Sequence, residues 1–412
     1  MTAIVNNING ANTYALQNAL SAYSDEAYTN ARKLSGTGIV GPNPNITTDT
    51  ETFIGQVRWF KPINPTINVA SLTNAANGTG TTYDSDFASY IKTVRTHGAT
   101  QVNLQRVISQ VDGLAKIGKD FGETKSQDEH NAILSLLKGV AVSEVLNGAG
   151  TGSGATGLGG QTFSNDPTDM KYGFYVDLGS AKPVVAASVT QQGAQRAEGF
   201  LNALGMAWKD YEPEYAYLVV SPEVLASLRS ANLVDETKVT EGNIMFDTIF
   251  GGKFRLIQTR ANQSLSTAEL AMLNTGAGVD VAGVKTSFIV LPGAIAMEPL
   301  VLPEPVGIQR NEDAYNGGGS TSIWYRWGYV AHPGGYDWNG ATTKFPSDAE
   351  YQYVVDTAVS GAGSAVAANT PQALASFLNT AGAAAIQTTT KGTWKRKTQS
   401  ALALGILPIF HA

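Results

Sequence analysis

T-K-S-Q-D-E-H-N-A-I-L-S-L-L-K-G-V-A-V-S-E-V-L-N-G, running from Thr124 to Gly148, is the stretch whose reading decides the fold. Ser126 and Glu129 stand at the spacing of a capping box, in which the hydroxyl takes a first-turn amide and the carboxylate reaches back to the cap. Asp128 and Glu129 also put negative charge at the positive end of the helix dipole. Ile133, Leu134, Leu137, Val140, Ala141 and Val145 then recur with helical period. Asp128, Asn131, Ser135 and Lys138 form the opposite, polar face, and His130 near the start reads as solvated. Asn147-Gly148 supplies the left-handed cap that ends a helix. The spacing predicts a helix over 126–147. Gly139 inside it costs about 1 kcal/mol relative to alanine, so it marks a close approach of another backbone.

A chain of 412 residues exceeds one ordinary core and divides into two or more units. Hydrophobic residues are 43%, enough for a sizeable core, while charged residues are only 15%, against about 25% in typical soluble domains. Two readings account for that deficit: large inter-subunit surfaces, whose centres are poor in charge, or an uncharged exterior of Thr, Asn, Ser and Gly. The net charge of −6 does not fit a protein that grips nucleic acid through a basic face. With no cysteine, disulfide and thiolate chemistry are excluded. No run approaches ~18 apolar residues, so no membrane span is expected. The start, M-T-A-I-V-N-N-I-N-G, lacks the pattern of a secretion signal, and the expectation is a soluble protein made in the cytoplasm.

Working outward, residues 1–50 are polar, with one amphipathic stretch over 12–31 carrying Tyr14, Leu16, Leu20, Tyr23 and Tyr28. They read as an arm that lies on a neighbour, or else as a frayed terminus. Residues 52–69 hold Phe53, Val57, Trp59, Ile63, Ile67 and Val69, the side chains that strands favour. Pro62 and Pro65 demote that segment to an edge or a bent strand. Asn77-Gly78 signals a turn, and Phe87 to Thr96, with Ile91, reads as the return strand of a long hairpin. A two-stranded ribbon is marginal alone in water, so its faces need a neighbour. Beyond the long helix, Gly152 to Gly157 formally matches G-x-G-x-x-G, but it follows a helix and opens a loop, and reads as a flexible loop. Strands are expected at 182–190, 215–220 and 286–291, and helices over 191–208 and from Ser221-Pro222 onward. Ile323, Tyr325, Trp327 and Tyr329 alternate with Trp324, Arg326, Gly328 and Val330 in a strand aromatic on both faces. Residues 359–392 are rich in Ala, Gly, Thr and Ser, with a short helix at T-P-Q-A-L-A-S-F-L; Trp394-Lys-Arg-Lys reads as a turn before an apolar last strand.

Little of this carries catalytic chemistry. His97, His130, His332 and His411 are the only histidines, and no two have metal-ligand spacing. Asp84-Ser-Asp86 lacks a calcium-loop pattern and reads as a turn. Glu298, Glu304, Glu312 and Asp313 could supply the carboxylate pair of a glycosidase, but they sit among prolines and turns as solvated groups do. Lys395-Arg396-Lys397 reads equally as a phosphate contact or a solvated turn. No catalytic, cofactor-binding or metal residue is expected.

The order of these parts resembles that of the major capsid protein of tailed bacteriophages, the Hongkong-97-type shell fold. The resemblance rests on the helix above, on Y-L-V-V-S-P-E-V-L-A-S-L-R, F-G-G-K-F-R-L-I and S-F-I-V-L-P-G-A-I-A, and on W-Y-R-W-G-Y-V-A-H-P-G-G-Y-D-W. It covers about residues 50–345, with a further match from G-T-W-K-R-K to P-I-F-H-A. It implies an α+β fold: an N-terminal arm (1–50), an extended hairpin (51–96), a peripheral domain with its spine helix (97–190), an α/β axial domain (191–312), and peripheral return strands with a C-terminal extension (313–412). Residues 346–393 depart from the minimal fold and read as an added surface or inter-subunit element. It implies hexamers and pentamers tiling an icosahedral shell around double-stranded DNA, in a virion assembled in a bacterial cytoplasm. The partners would be other copies, with portal, scaffold or decoration proteins. Phe53, Val57, Trp59, Ile63, Phe87, Ile91, Tyr14 and Tyr23 would make the inter-subunit contacts. Some shells of the family cross-link a hairpin lysine to a neighbour's asparagine; Lys61 is the nearest candidate, and no cross-link is expected from it. The alternatives are an encapsulin-like non-viral shell of the same fold and an α/β hydrolase.

Overall fold

The structure, a computed structural model, describes residues 10–31, 34–43, 45–46, 52, 54–60, 85–102, 113–148, 175–177, 213–235, 238–241, 244–259, 285–311, 319–340, 345–355, 359–360, 365–366, 390–396 and 405–411. Helix α1 (Gly10–Ala31) is followed by β1 (Val40–Gly41), β2 (Ile54–Phe60), β3 (Ser85–Val102) and the long helix α2 (Gly113–Gly148). Next come β4 (Tyr175–Asp177), β5 (Ala216–Val220), α3 (Pro222–Ser230), β6 (Val239–Glu241), β7 (Ile244–Ile249), β8 (Phe254–Gln258) and β9 (Lys285–Val290). The chain continues through β10 (Ile295–Pro299), β11 (Val306–Asn311), β12 (Ser320–Pro333), β13 (Tyr336–Trp338) and α4 (Asp348–Gln352). It ends with β14 (Tyr353–Val355), β15 (Val359–Ser360), β16 (Ala365–Val366), β17 (Thr390–Gly392), β18 (Trp394–Arg396) and β19 (Ile406–His411). The expected strands at 182–190 and helices at 191–208 and 370–378 lie outside the described residues, as do the glycine-rich loop from 149 and the hairpin tip at 61–84.

Two sheets organise this α+β fold. One has the order β1-β10-β12-β3-β2, with β11 also paired to β12. The other runs β4-β19-β9-β5-β8-β7-β6. Ile323, Tyr325, Trp327 and Tyr329 of β12 are buried in the main core with Ile133, Leu136, Leu137 and Val140 of α2. That core continues into Tyr217, Val219, Phe288 and Val290 of the second sheet. The other face of the second sheet, with Ala216, Leu218, Val220 and Ile289, closes against Val224, Leu225 and Leu228 of α3. Helix α3 begins as expected: the Ser221 side chain accepts the Val224 amide at 3.4 Å, and proline fills its first turn. Phe250, Gly251 and Gly252 turn β7 into β8 with positive φ values of 56°, 66° and 97°.

Several expectations need correction. Helix α2 does not start at Ser126 but at Gly113. Its turns before Ser126 pack against α1. Gly118 and Gly122 let α1 lie against it so closely that a Cβ on Gly122 would stand 2.3 Å from the Ser24 carbonyl oxygen. Ser126 is buried inside the helix, and Glu129 accepts the Tyr28 hydroxyl of α1 at 2.5 Å. His130 and Ser135 are buried too, so the supposed solvated face is a packed one. Residues 10–31 do not project as an arm: Leu20, Ser24 and Ala27 are buried, one helical turn apart, in a helix laid on α2 of the same chain. Residues 40–41 then join the first sheet beside β10.

The boundary expected at 312 falls instead at the Pro292-Gly293 turn, since β10 and β11 belong to the first sheet. The last strand does not return to that sheet. It lies between β4 and β9 in the second, where Ile406 and Leu407 are buried. Trp394-Lys-Arg is not a turn but β18, paired with β13. Residues 348–355, expected as an added surface, belong to the core through Tyr351. The close approach expected at Gly139 is made by this segment: a Cβ there would stand 1.9 Å from the Tyr351 carbonyl oxygen.

Gly139→Ala therefore tests the packing of α2. On an open helix face the change would stabilise by about 1 kcal/mol. Here urea denaturation should show a loss of roughly 1–3 kcal/mol, the range for overpacking.

Candidate functional site in the projecting ribbon and its root

β3 changes partner half-way along its length. Its residues 92–102 pair with β12, from Lys92 opposite Val330 to Val102 opposite Ser320. Its residues 85–91 pair instead with β2, from Ile91 opposite Ile54 to Ser85 opposite Phe60. The second part is a two-stranded ribbon that runs on past the pairing with β12. Gly55 lies under the Tyr90 ring, where a Cβ would stand 2.1 Å from ring carbon, so a larger residue there would push the ring aside.

Three side chains or amides on one face of β3 hold its root. The Ser89 amide donates to Asp337 Oδ1 at 2.6 Å. Thr93 Oγ1 and the Tyr351 hydroxyl share a hydrogen bond of 2.6 Å. Arg95 donates to the Pro346 carbonyl at 2.5 Å and pairs with Asp128 at 3.4 Å and Asp348 at 3.2 Å. Asp128 also accepts Trp327 Nε1 at 2.9 Å and the Tyr329 hydroxyl at 3.1 Å. Burial opposes the Arg95 charge, yet Tyr329, Asp128 and Asp348 hold its pKa above the ordinary arginine value. Burial raises the Asp348 carboxyl, against the pull of Arg95. Burial also raises the Tyr351 phenol, while the bond to Thr93 works the other way.

Behind these polar links stands an aromatic knot. Trp394 is fully buried, donates its Nε1 to the Tyr351 carbonyl at 3.1 Å, and donates its backbone amide to Ser143 Oγ at 3.1 Å. Trp338 meets it edge-on at 5.1 Å and Tyr351 stacks at 6.1 Å. His332 closes the knot, edge-on to Trp394 at 5.8 Å. Burial pushes the His332 pKa down to about 4, with Asp337 and the Tyr336 backbone opposing.

The expected contact residues fall into three groups. Val57 and Ile91 are buried within the chain, Val57 among Tyr90, Leu300 and Val330 and Ile91 in the main core, so they are not inter-subunit contacts. Phe87, at 45% exposure on the ribbon, and Tyr23, at 42% on α1, remain open. Trp59 lies in β2 and Tyr14 in α1 with their side chains outside the described residues, as are Phe53, Ile63 and Lys61 altogether. The carboxylates named for glycoside chemistry are not brought together as a pair: Glu298 accepts the Asn43 amide at 2.7 Å, Glu304 is exposed, and Glu312 and Asp313 lie outside the described residues. Among the described residues no group of three His, Cys, Asp or Glu is placed to hold a metal, and no helix is long and apolar enough to cross a membrane. Sequence reasoning missed Arg95, Asp128, Asp337, Asp348, Tyr351 and Trp394 as the ribbon's anchors. The aromatic content of Y-D-W at 336–338 and of Trp394 was the available signal.

No protein-family model matches this chain, and no curated protein does. Among solved structures, it is similar to the head structure of Helicobacter pylori bacteriophage KHP40, at 6% identity and TM-score 0.45 over 92% of this chain and 90% of that one. It is similar to the capsid of Ralstonia phage GP4, at 12% identity and TM-score 0.41 over 74% of this chain and 86% of that one. The acidic stable capsid structure of Helicobacter pylori bacteriophage KHP30 gives 6% identity and TM-score 0.42, over 76% and 87%.

Two variants test the root. Arg95→Met leaves Asp128 and Asp348 half-buried without their cation and should cost about 2–4 kcal/mol by chemical denaturation. Removing the exposed Lys119–Glu123 pair, 3.9 Å apart, should stay within about 0.5 kcal/mol. For His332, the unfolded chain takes up a proton near pH 6.5 and the folded chain only near 4. Stability should thus be lost as pH falls through that window, by roughly 3 kcal/mol, and be fully present above it. His332→Gln should flatten that slope in denaturation measured from pH 7 to pH 4.

Proposed function

We propose that this chain is a major capsid subunit of a tailed bacteriophage, a structural protein without catalytic activity that builds an icosahedral shell. The observation that carries the reading is the ribbon: β2 and residues 85–91 of β3 run beyond the β3–β12 pairing, rigidly rooted, with Phe87 exposed. A long spine helix against one sheet, an α/β unit built on the second, and a ribbon between an N-terminal segment and the spine follow the order of parts in that shell fold. With Val57, Ala88, Tyr90 and Ile91 buried within the chain, the exposed Phe87 is the described ribbon side chain that a second copy would cover. Binding at several places at once then turns weak contacts into a stable shell. Hexamers and pentamers, portal, scaffold or decoration proteins, and assembly in a bacterial cytoplasm follow from the same reading. Enclosure of double-stranded DNA, in place of tight binding, suits a net charge of −6.

Electron microscopy and sedimentation of the purified full chain test this. The expected outcome is closed shells or rings of subunits, and loss of both on Phe87→Asp with the subunit's circular dichroism unchanged. A monomer at all concentrations, or assembly untouched by that substitution, contradicts the role given to the ribbon. Closed shells that load a protein cargo and never DNA would mark the non-viral shell instead.

A further inference from the structure

His332 sits at the ribbon's root without helping to hold it. The side chain is buried, and its Nδ1 has no hydrogen-bond partner among the described residues. The hydrogen bond that the ring does make runs to the Tyr336 backbone of β13. The ring also stands edge-on to Trp394 of β18, with 5.8 Å between centroids. Those two strands pair with each other, Tyr336 opposite Arg396, Asp337 opposite Lys395 and Trp338 opposite Trp394. The imidazole thus lies against a two-stranded clamp, and the clamp carries Asp337, which accepts the Ser89 amide of the ribbon at 2.6 Å.

Charged groups stand on the strands packed around the ring. β13 brings Asp337, whose charge favours the imidazolium. β18 brings Lys395, opposite Asp337. β10 brings Glu298, two places beyond the Ala296 that pairs with His332, and its carboxylate accepts the Asn43 amide at 2.7 Å. β3 brings Lys92, opposite Val330. Helix α2 meets the clamp through Ser143, which carries no charge. A proton on Nδ1 adds a donor that has no acceptor in place, and a charge that burial opposes. Asp337 is the carboxylate that acts on the ring, and it is already bound to Ser89. A protonated ring and the Ser89 amide therefore compete for one carboxylate, and a charged donor bonds it more strongly than a neutral amide does.

We propose that His332 is an acid-sensitive latch on the ribbon: its protonation draws Asp337 away from the Ser89 amide and opens the β13–β18 clamp while the two sheets stay folded. The latch lies within one chain, so it stands whether or not copies meet at the ribbon. Native-state hydrogen exchange on the full chain at pH 7 and pH 4.5, corrected for intrinsic rates, tests it. A released ring titrates near 6.5 and the buried one at about 4, so protection of residues 85–91, 336–338 and 394–396 should fall at least roughly fiftyfold. Low urea should leave that exchange almost unchanged, because a local opening exposes little surface, whereas amides of 216–220 and 286–290 should respond steeply. His332→Gln should abolish the fall. Asp337→Asn keeps an acceptor for Ser89 but removes the charge, and should move the onset to lower pH. No fall at the root, a fall as steep in urea as that of the second sheet, one that survives in His332→Gln, or an onset unmoved in Asp337→Asn overturns the latch.

Discussion

β3 is longer than the strand it pairs with can cover. β12 takes residues 92–102 and stops, so the remaining residues must either fray or find another partner. They find β2, and the outcome is a ribbon paired from Ile54 opposite Ile91 to Phe60 opposite Ser85, tied to the rest of the chain at its root. Everything near the root serves that end. Ser89, Thr93 and Arg95 reach from one face of β3 to Asp337, Tyr351, Asp348 and Asp128. Those partners stand on β13, α4 and α2, so four separate parts of the chain must fold before the ribbon can point anywhere.

The energetics favour a rigid root over a hinge. Arg95 gives up water but gains two carboxylates and a carbonyl, and Asp128 keeps two neutral donors besides. A pair of this kind adds little over an apolar substitute but is costly to half-remove, which makes it a device for one geometry. The aromatic knot around Trp394 supplies the bulk. Stacked and edge-on rings gain beyond the area they bury, and large flat side chains shift little once packed. Gly139 marks where the α2 backbone must come closest to that of Tyr351, and Gly55 makes room for the Tyr90 ring.

The elements whose signal is local were readable from the chain. β5 with the Ser221-Pro222 start of α3, the Phe250 turn, and the alternating aromatics of β12 all stand where their residues placed them. What failed was local signal overruled at a distance. Ser126 and Glu129 have capping-box spacing, but a helix already running through them turns the carboxylate to Tyr28. Half of such a box stands at Ser347 and Glu350, where the carboxylate accepts the Ser347 amide at 2.7 Å, and it passed unread in a stretch taken for an extension. The polar residues 10–31 looked unable to bury themselves, because small residues such as Ser24 and Ala27 carry no hydrophobic signal. They pack because Gly118 and Gly122 bring backbone to backbone. Of the ribbon residues, Val57 and Ile91 carry the same apolar signal as Phe87, and only the third dimension separates those turned inward from the one turned out.

The proposal that the rooted ribbon meets a sister molecule has one direct signature. Amide hydrogen exchange, read residue by residue in the isolated subunit and in the assembled particle, should show residues 54–60 and 85–91 gaining protection on assembly. Residues 92–102, paired on their own sheet, should be protected equally in both. Ribbon amides already as slow in the isolated subunit as those of 92–102, with no further slowing in the particle, would contradict the account.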